Sequence, residues 1–307
     1  MASLDRVDVL MRDLTLAYRP QREWIEGRGV LLVVAHFFSG VGAGAWLFSV
    51  LFDFPAGLVM ALVCVGAFSG SAHLFFLGRW QRFWRILWRP HSSWISRGLW
   101  GMGVFLISGT LYLLPSIRGT TFGDAMLGLS MAGVTVILLY KGFVFAASRA
   151  IPFWHTPLLP LLYIAYGLRG GAALLLVAAS VAGDVFDIDA VEAVKLWVVV
   201  STAVLIMLYL VTASRTGGAA QRSVEELIAG RISPAFYGGT VLFGILLPIV
   251  LGAAGAVGGL GLPVLGLLGA ASLVGDFYVK YCIVKAGVYL PIGIPTWPVG
   301  PGADATR

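Results

Sequence analysis

Residues 30–77 read VLLVVAHFFSGVGAGAWLFSVLFDFPAGLVMALVCVGAFSGSAHLFFL and contain a single formal charge, Asp53. The aspartate stands beside Phe54-Pro55, a turn signal, and splits the stretch into two apolar runs, Val30–Phe52 and Pro55–Leu77. Each run has the roughly 20 residues that a helix needs to cross the hydrocarbon core of a bilayer. In hydrocarbon the backbone must satisfy its own hydrogen bonds, so such a run is read as a transmembrane helix.

The whole sequence follows the same plan. Of its 307 residues 59% are hydrophobic and only 12% are charged, with a mean hydropathy of +0.90. A soluble domain of this size carries about twice that share of charge. The fold class is therefore all-α integral membrane. Counting apolar windows gives eight spans: Val30–Phe52, Pro55–Leu77, Gly98–Leu114, Ala125–Ala147, Leu158–Ala182, Val191–Ala213, Tyr237–Val257 and Leu260–Ala286. They are expected to pack as two four-helix bundles, with residues 1–29 as a cytoplasmic arm, 30–290 as the membrane domain and 291–307 as a tail. Met1–Arg28 mixes five acids with five arginines, so no cleavable leader is expected there and the first span serves as the insertion signal.

An even number of spans puts both termini on one side. Arg6, Arg12, Arg19, Arg22 and Arg28 in the arm, the arginines after span two, Arg149 after span four, and Arg215, Arg222 and Arg231 after span six share that side. The opposite loops hold little beyond Asp53, Arg118, Asp124, Asp184, Asp187 and Asp189. The positive-inside bias makes both ends cytoplasmic, in the inner membrane of a bacterium or archaeon. The net charge of +6 is thus a topology signal, and no nucleic-acid partner is expected. Two cysteines, Cys64 and Cys282, both inside apolar runs, are too few for an iron–sulfur cluster or a cysteine-ligated zinc site.

The segment from His73 to Gly98, HLFFLGRWQRFWRILWRPHSSWISRG, carries Arg79, Arg82, Arg85, Arg89 and Arg97, and no acid occurs between Phe54 and Gly123. The counter-charges of these arginines must come from lipid phosphates, a bound small molecule or an acidic partner surface. Positive-inside topology alone is the plainest account of them.

Inside the spans, ionisable residues are costly and mark either function or internal pairing. Counting from the cytoplasmic end at 1.5 Å per residue places His36, His73, Tyr140 and Lys141 in one layer beneath that loop. Histidine, tyrosine and lysine are groups that hydrogen-bond to a quinone carbonyl and exchange protons with it. A pair of histidines at one depth also admits a haem b reading. Arg169 has no acid in its own span. Asp276 and Lys280 stand at i and i+4 on span eight and can pair with each other, or Asp276 can pair with Arg169. These three residues form an intramembrane polar set that also suits a proton path, a channel or an ion-coupled transporter. The glycine clusters, such as Gly40, Gly42 and Gly44, or Gly167, Gly170 and Gly171, are read as close helix-packing positions.

In order along the sequence, HFFSGVGAGAWLFS from His36, the His73–Arg97 loop, Tyr140-Lys141-Gly142, the run PFWHTPLLP from Pro152 and GDFYVKY from Gly275 resemble the NrfD/DmsC/polysulfide-reductase superfamily of membrane anchors. The departures are Phe75–Leu77, which lengthen an HLG motif into HLFFLG, and Lys141 in place of a threonine. The resemblance implies an eight-helix anchor without its own redox cofactor that works with menaquinone or ubiquinone. Its partners would be a four-cluster iron–sulfur subunit and a molybdopterin (molybdenum or tungsten) catalytic subunit facing the cytoplasm. In such a complex His73, Tyr140 and the polar residues of the first helix, here His36, are associated with quinone, and the loop arginines are expected to dock the partner. The loop wording looks closest to phenylacetyl-CoA:acceptor oxidoreductases.

Overall fold

The computed structural model describes residues 18–183, 188–258 and 261–291. Arg6 and Arg12 of the arm, the loop acids Asp184 and Asp187, and the tail beyond residue 291 lie outside these residues.

Nine helices account for nearly all of the described residues. They are α1 (Gly29–Leu51), α2 (Pro55–Leu77), α3 (Trp94–Tyr112), α4 (Thr121–Ala146), α5 (Leu158–Ala182), α6 (Ile188–Thr216), α7 (Gly218–Ile228), α8 and α9 (Leu262–Ala286). Helix α8 runs without a break through Ser233–Ala235, a π segment Phe236–Leu246 and Leu247–Gly258. Seven of them are long and apolar enough to cross a membrane: α1, α2, α4, α5, α6, α8 and α9. Helix α3 occupies the position expected for the third span. It has 19 residues but begins four residues earlier than that span, because Ser93 caps it by accepting from Ser96 N, and so it takes in Arg97. Likewise Thr120 caps α4 through Gly123 N and brings Asp124 into the first turn, where a negative charge faces the positive helix end. The protein is an all-α integral membrane protein.

Helices α1 to α4 pack on one another, and so do α5, α6, α8 and α9. Within the first, α3 lies along α4, and Trp46 of α1 donates its indole N–H to Ser130 Oγ of α4 at 3.1 Å. Within the second, α9 packs on both α5 and α8. The two groups meet where α1 runs beside α5. Gly44 and Gly171 face each other there, and a methyl group on either would overlap the other helix's backbone. Lipid offers no hydrophobic drive to bring helices together, so backbone contact at small residues supplies it.

The two ends of the described structure are tied into this body on one face. Arg19–Pro20 pairs antiparallel with Val288–Tyr289 as a two-residue ribbon. Gln21 N donates to Gly287 O at 2.8 Å, and Leu290 N donates to Ala150 O in the α4–α5 loop at 2.9 Å. Trp24 lies edge-on to Trp154 at 6.0 Å, and Trp154 donates its indole N–H to Ile283 O at 2.9 Å. The arm is therefore packed structure from Tyr18 onward. Helix α7 has no counterpart among the expected spans, because Gln221, Arg222, Glu225 and Glu226 make it polar on one side. It buries Ala219, Ala220, Ser223, Val224 and Leu227 on the other.

Substituting Gly171 with Leu should drive α1 and α5 apart at a cost of roughly 1–3 kcal/mol or more. Thermal unfolding in detergent followed by circular dichroism should show a clear drop in Tm. Gly128→Ala, at a position with no neighbour within 4 Å, should leave Tm unchanged or slightly higher.

Candidate functional site

Two buried polar clusters lie in the interior, one in each group of helices. The first is built on α1, α2 and α4. His36 and Tyr140 are almost fully buried, Lys141 is fully buried and His73 is partly buried. The His36 ring lies 5.8 Å from the rings of both His73 and Tyr140, and Phe145 and Tyr163 close its other sides at 5.5 and 6.4 Å. All four residues placed in one layer by the depth count are thus brought together.

The hydrogen bonds of the cluster fix a tautomer. His73 Nδ1 stands 2.8 Å from Ser69 O, and a carbonyl only accepts, so Nδ1 carries the proton. The neutral ring then has its lone pair on Nε2, which lies 3.4 Å from Tyr140 Oη and accepts from that hydroxyl. Lys141 Nζ donates to Ser39 Oγ at 3.3 Å and stands 5.9 Å from the centre of the Tyr140 ring. His36 Nδ1 is buried without a hydrogen-bond partner. An orphaned imidazole nitrogen of this kind is costly unless something else meets it, and it stands among groups able to give and take protons.

The position of His73 depends on an irregularity. The middle of α2, Cys64–Ser69, is a π segment. One extra residue in a turn rotates everything after it by about 100° relative to an unbroken helix. Ser69, at the end of the π segment, is the residue whose carbonyl orients the imidazole.

The second cluster lies between α5, α6 and α9. Arg169 and Asp276, both fully buried, form an ion pair with Nε 2.7 Å from Oδ1. Arg169 Nη1 donates to Thr202 Oγ1 at 3.2 Å and Nη2 to Ser272 O at 3.4 Å, while the guanidinium sits 4.8 Å from the Tyr166 ring. The aspartate thus pairs across helices with the arginine. Lys280 Nζ donates to the Asp276 backbone carbonyl at 3.5 Å and lies 5.7 Å from the rings of Phe37 and Tyr166. Ser39, Ser69, Thr202, Ser272 and Tyr166 carry no signal in the sequence. Small hydroxyl residues are common in packed membrane helices, and nothing in their spacing sets these apart.

Gly40 joins the two clusters. A Cβ built on it would lie 3.2 Å from Lys141 Nζ and 4.0 Å from Lys280 Cε, so the two lysine ends flank one glycine. Among the described residues neither lysine is in a salt bridge with a carboxylate.

A bis-histidine haem fits poorly here. Ser69 O holds the Nδ1 proton of His73, so iron would have to take Nε2, displacing the Tyr140 hydroxyl that donates to it. A quinone head group fits the donor set better, because His36 Nδ1 lacks a partner and Tyr140 and Lys141 place hydrogen-bonding groups nearby.

The loop arginines divide into two kinds. Arg97 is partly buried and spends its donors on the loop itself, from Nε to Pro90 O and from Nη2 to His91 O, each at 2.8 Å. Arg79, Arg82, Arg85 and Arg89 are exposed and make no ion pair among the described residues. Their segment, a 3₁₀ helix at Trp80–Trp88, rests mainly on the ends of α2 and α3.

Replacing Asp276 with Ala should strand the Arg169 guanidinium and cost about 3–5 kcal/mol, read as a large fall in detergent Tm. An Arg169→Met, Asp276→Leu double variant should recover much of that loss.

The profile of the family described as Polysulphide reductase, NrfD, matches residues 28–291, which span both clusters and every helix. The protein is similar to the C subunit of polysulfide reductase from Wolinella succinogenes, at 25% identity over 263 residues, covering 73% of this sequence and 82% of that protein. It is also similar to the Protein NrfD homolog of Haemophilus influenzae, at 23% identity over 205 residues, or 58% of this sequence. That alignment spans 64% of the Haemophilus protein, just under two thirds of its length. Extending over most of the sequence and taking in both polar clusters, the match shows that this protein belongs to the NrfD polysulphide reductase family.

Proposed function

We propose that this protein is the quinone-linked anchor of an oxidoreductase complex, and that the first polar cluster binds the quinone head group. The observation that carries this is His36 Nδ1, buried and unpartnered beside His73, Tyr140 and Lys141. Menaquinone or ubiquinone supplies two-electron, two-proton redox chemistry in the bilayer. His36 supplies a hydrogen bond to one carbonyl oxygen. Tyr140 holds a proton on Oη that it shares with His73 Nε2, and Ser69 keeps that nitrogen an acceptor by fixing the proton on Nδ1. Lys141 stores a further proton against Ser39 Oγ. The packing of Phe145 and Tyr163 around His36 keeps bulk water from this layer.

The sequence holds no cluster-forming set of cysteines, so electrons must arrive from or leave to another subunit. The Wolinella relative is by name one subunit of a polysulfide reductase, which supports assembly with other subunits. We assign as partners an iron–sulfur subunit of four clusters and a molybdopterin subunit. Arginine bias puts both termini, and the partner, on the cytoplasmic side of the inner membrane. The partner docks at the face where the terminal ribbon and the α4–α5 loop come together.

With the complex in native membranes, Tyr140→Phe and His73→Ala should lower quinone-coupled turnover by roughly a hundredfold, while electron transfer from a soluble dye to the catalytic subunit stays at the wild-type rate. Full quinone turnover in His73→Ala would refute the site.

A second reading is favoured by the way Lys141, Gly40, Lys280 and the Arg169–Asp276 pair follow one another through the interior. On this reading the protein conducts protons. Liposomes holding it alone, with a potassium gradient and valinomycin, should then acidify, and Lys280→Met should abolish the signal.

A further inference from the structure

The exposed arginines at Trp80–Trp88 face outward in a geometry that selects a ligand. In a 3₁₀ helix side chains three apart eclipse, so Arg82 and Arg85 stand on one ridge about 6 Å apart. Arg79 caps that helix and Arg89 follows its last residue. Of the other two ridges one carries Phe83 and Ile86, and the other carries Trp84 and Leu87 after Gln81, while Trp88 ends the arginine ridge. Phe83, Trp84 and Trp88 are 39%, 48% and 74% exposed. Arg85 leans over the Trp84 ring at 5.7 Å.

The segment is fastened low on the flank of α3. Ser96 Oγ donates to Ile86 O, and Trp100, well into α3, donates its indole N–H to Leu87 O at 3.1 Å. Trp100 is itself exposed, as are Leu74 and Phe75 at the end of α2. Exposed apolar side chains therefore stand both on the segment and on the ends of α2 and α3 against which it rests. An acidic protein surface would satisfy the arginines but leave the aromatic ridges to be covered separately. A bilayer surface presents phosphate and hydrocarbon within a few ångströms of depth, which matches both. Guanidinium is also the side chain best shaped for bidentate contact with phosphate.

We propose that Arg79–Arg89 is a binding site for anionic phospholipid: Arg79, Arg82, Arg85 and Arg89 take the headgroup phosphates, and Phe83 and Trp84 enter the acyl boundary. The site sets the depth of α2 and α3 in the membrane, and it is independent of the quinone cluster.

The test uses the full-length protein in nanodiscs containing phosphatidylglycerol and phosphatidylcholine, with retained lipid counted by native mass spectrometry. The wild type should retain phosphatidylglycerol selectively, and the variant Arg79→Gln, Arg82→Gln, Arg85→Gln, Arg89→Gln should lose this selectivity, at roughly fivefold per arginine. Lipid brominated near the headgroup should quench tryptophan emission in the wild type, and Trp84→Phe should remove part of that quenching. Equal retention of the two lipids by the wild type, unchanged selectivity in the variant, or no change in quenching with Trp84→Phe would each overturn the proposal. So would a soluble acidic subunit that binds in discs free of phosphatidylglycerol and is lost with the four arginines.

Discussion

The close approach of α1 and α5 at Gly44 and Gly171 is the constraint on which the interior depends. Helices in lipid gain little from burying leucine, so backbone contact at small residues sets their distance and angle. Both polar clusters are hung from these two helices. Helix α1 brings His36, Ser39 and Gly40, and α5 brings Tyr163, Tyr166 and Arg169. Widening that seam would shift the helices that hold Ser39 beside Lys141 and Arg169 beside Asp276.

The charges inside are handled in different ways. Arg169 has a carboxylate, a hydroxyl, a carbonyl and an aromatic face, which is close to full use of its donors. Lys141 and Lys280 have a hydroxyl and a carbonyl, with aromatic rings some 6 Å away. Burying such groups in place of apolar residues of equal volume brings no stability by itself. Their presence in an otherwise apolar interior therefore calls for a role beyond stability, and the proposed quinone site supplies one.

The outer surface follows another rule. Arg97 secures the loop by donating to its carbonyls, and the remaining loop arginines are left for groups outside the protein. The ends of the described structure do the reverse, closing on each other through the Arg19–Pro20 and Val288–Tyr289 ribbon and the Trp24–Trp154 contact. The Arg79–Arg89 segment is left exposed at one edge, while the terminal face is assembled from loops and end segments.

Much of this was legible in the residues. Apolar runs located the helices because hydrocarbon leaves a backbone no alternative, and the intramembrane charges announced themselves by their cost. Depth along a helix is a matter of counting at 1.5 Å per residue, so His36, His73, Tyr140 and Lys141 could be placed in one layer. Direction around a helix could not be counted, because the π turn at Cys64–Ser69 resets it before His73. The choice of Arg169 over Lys280 as the neighbour of the Asp276 carboxylate, and the roles of Ser39, Ser69 and Thr202, depend on which helices touch. Composition and spacing thus determined a membrane bundle with a polar layer; only the packing of α4 on α1 and α2, and of α5 on α6 and α9, decided which polar atoms share hydrogen bonds, because such bonds are fixed by side-chain distances to a few tenths of an ångström and no periodicity reports those.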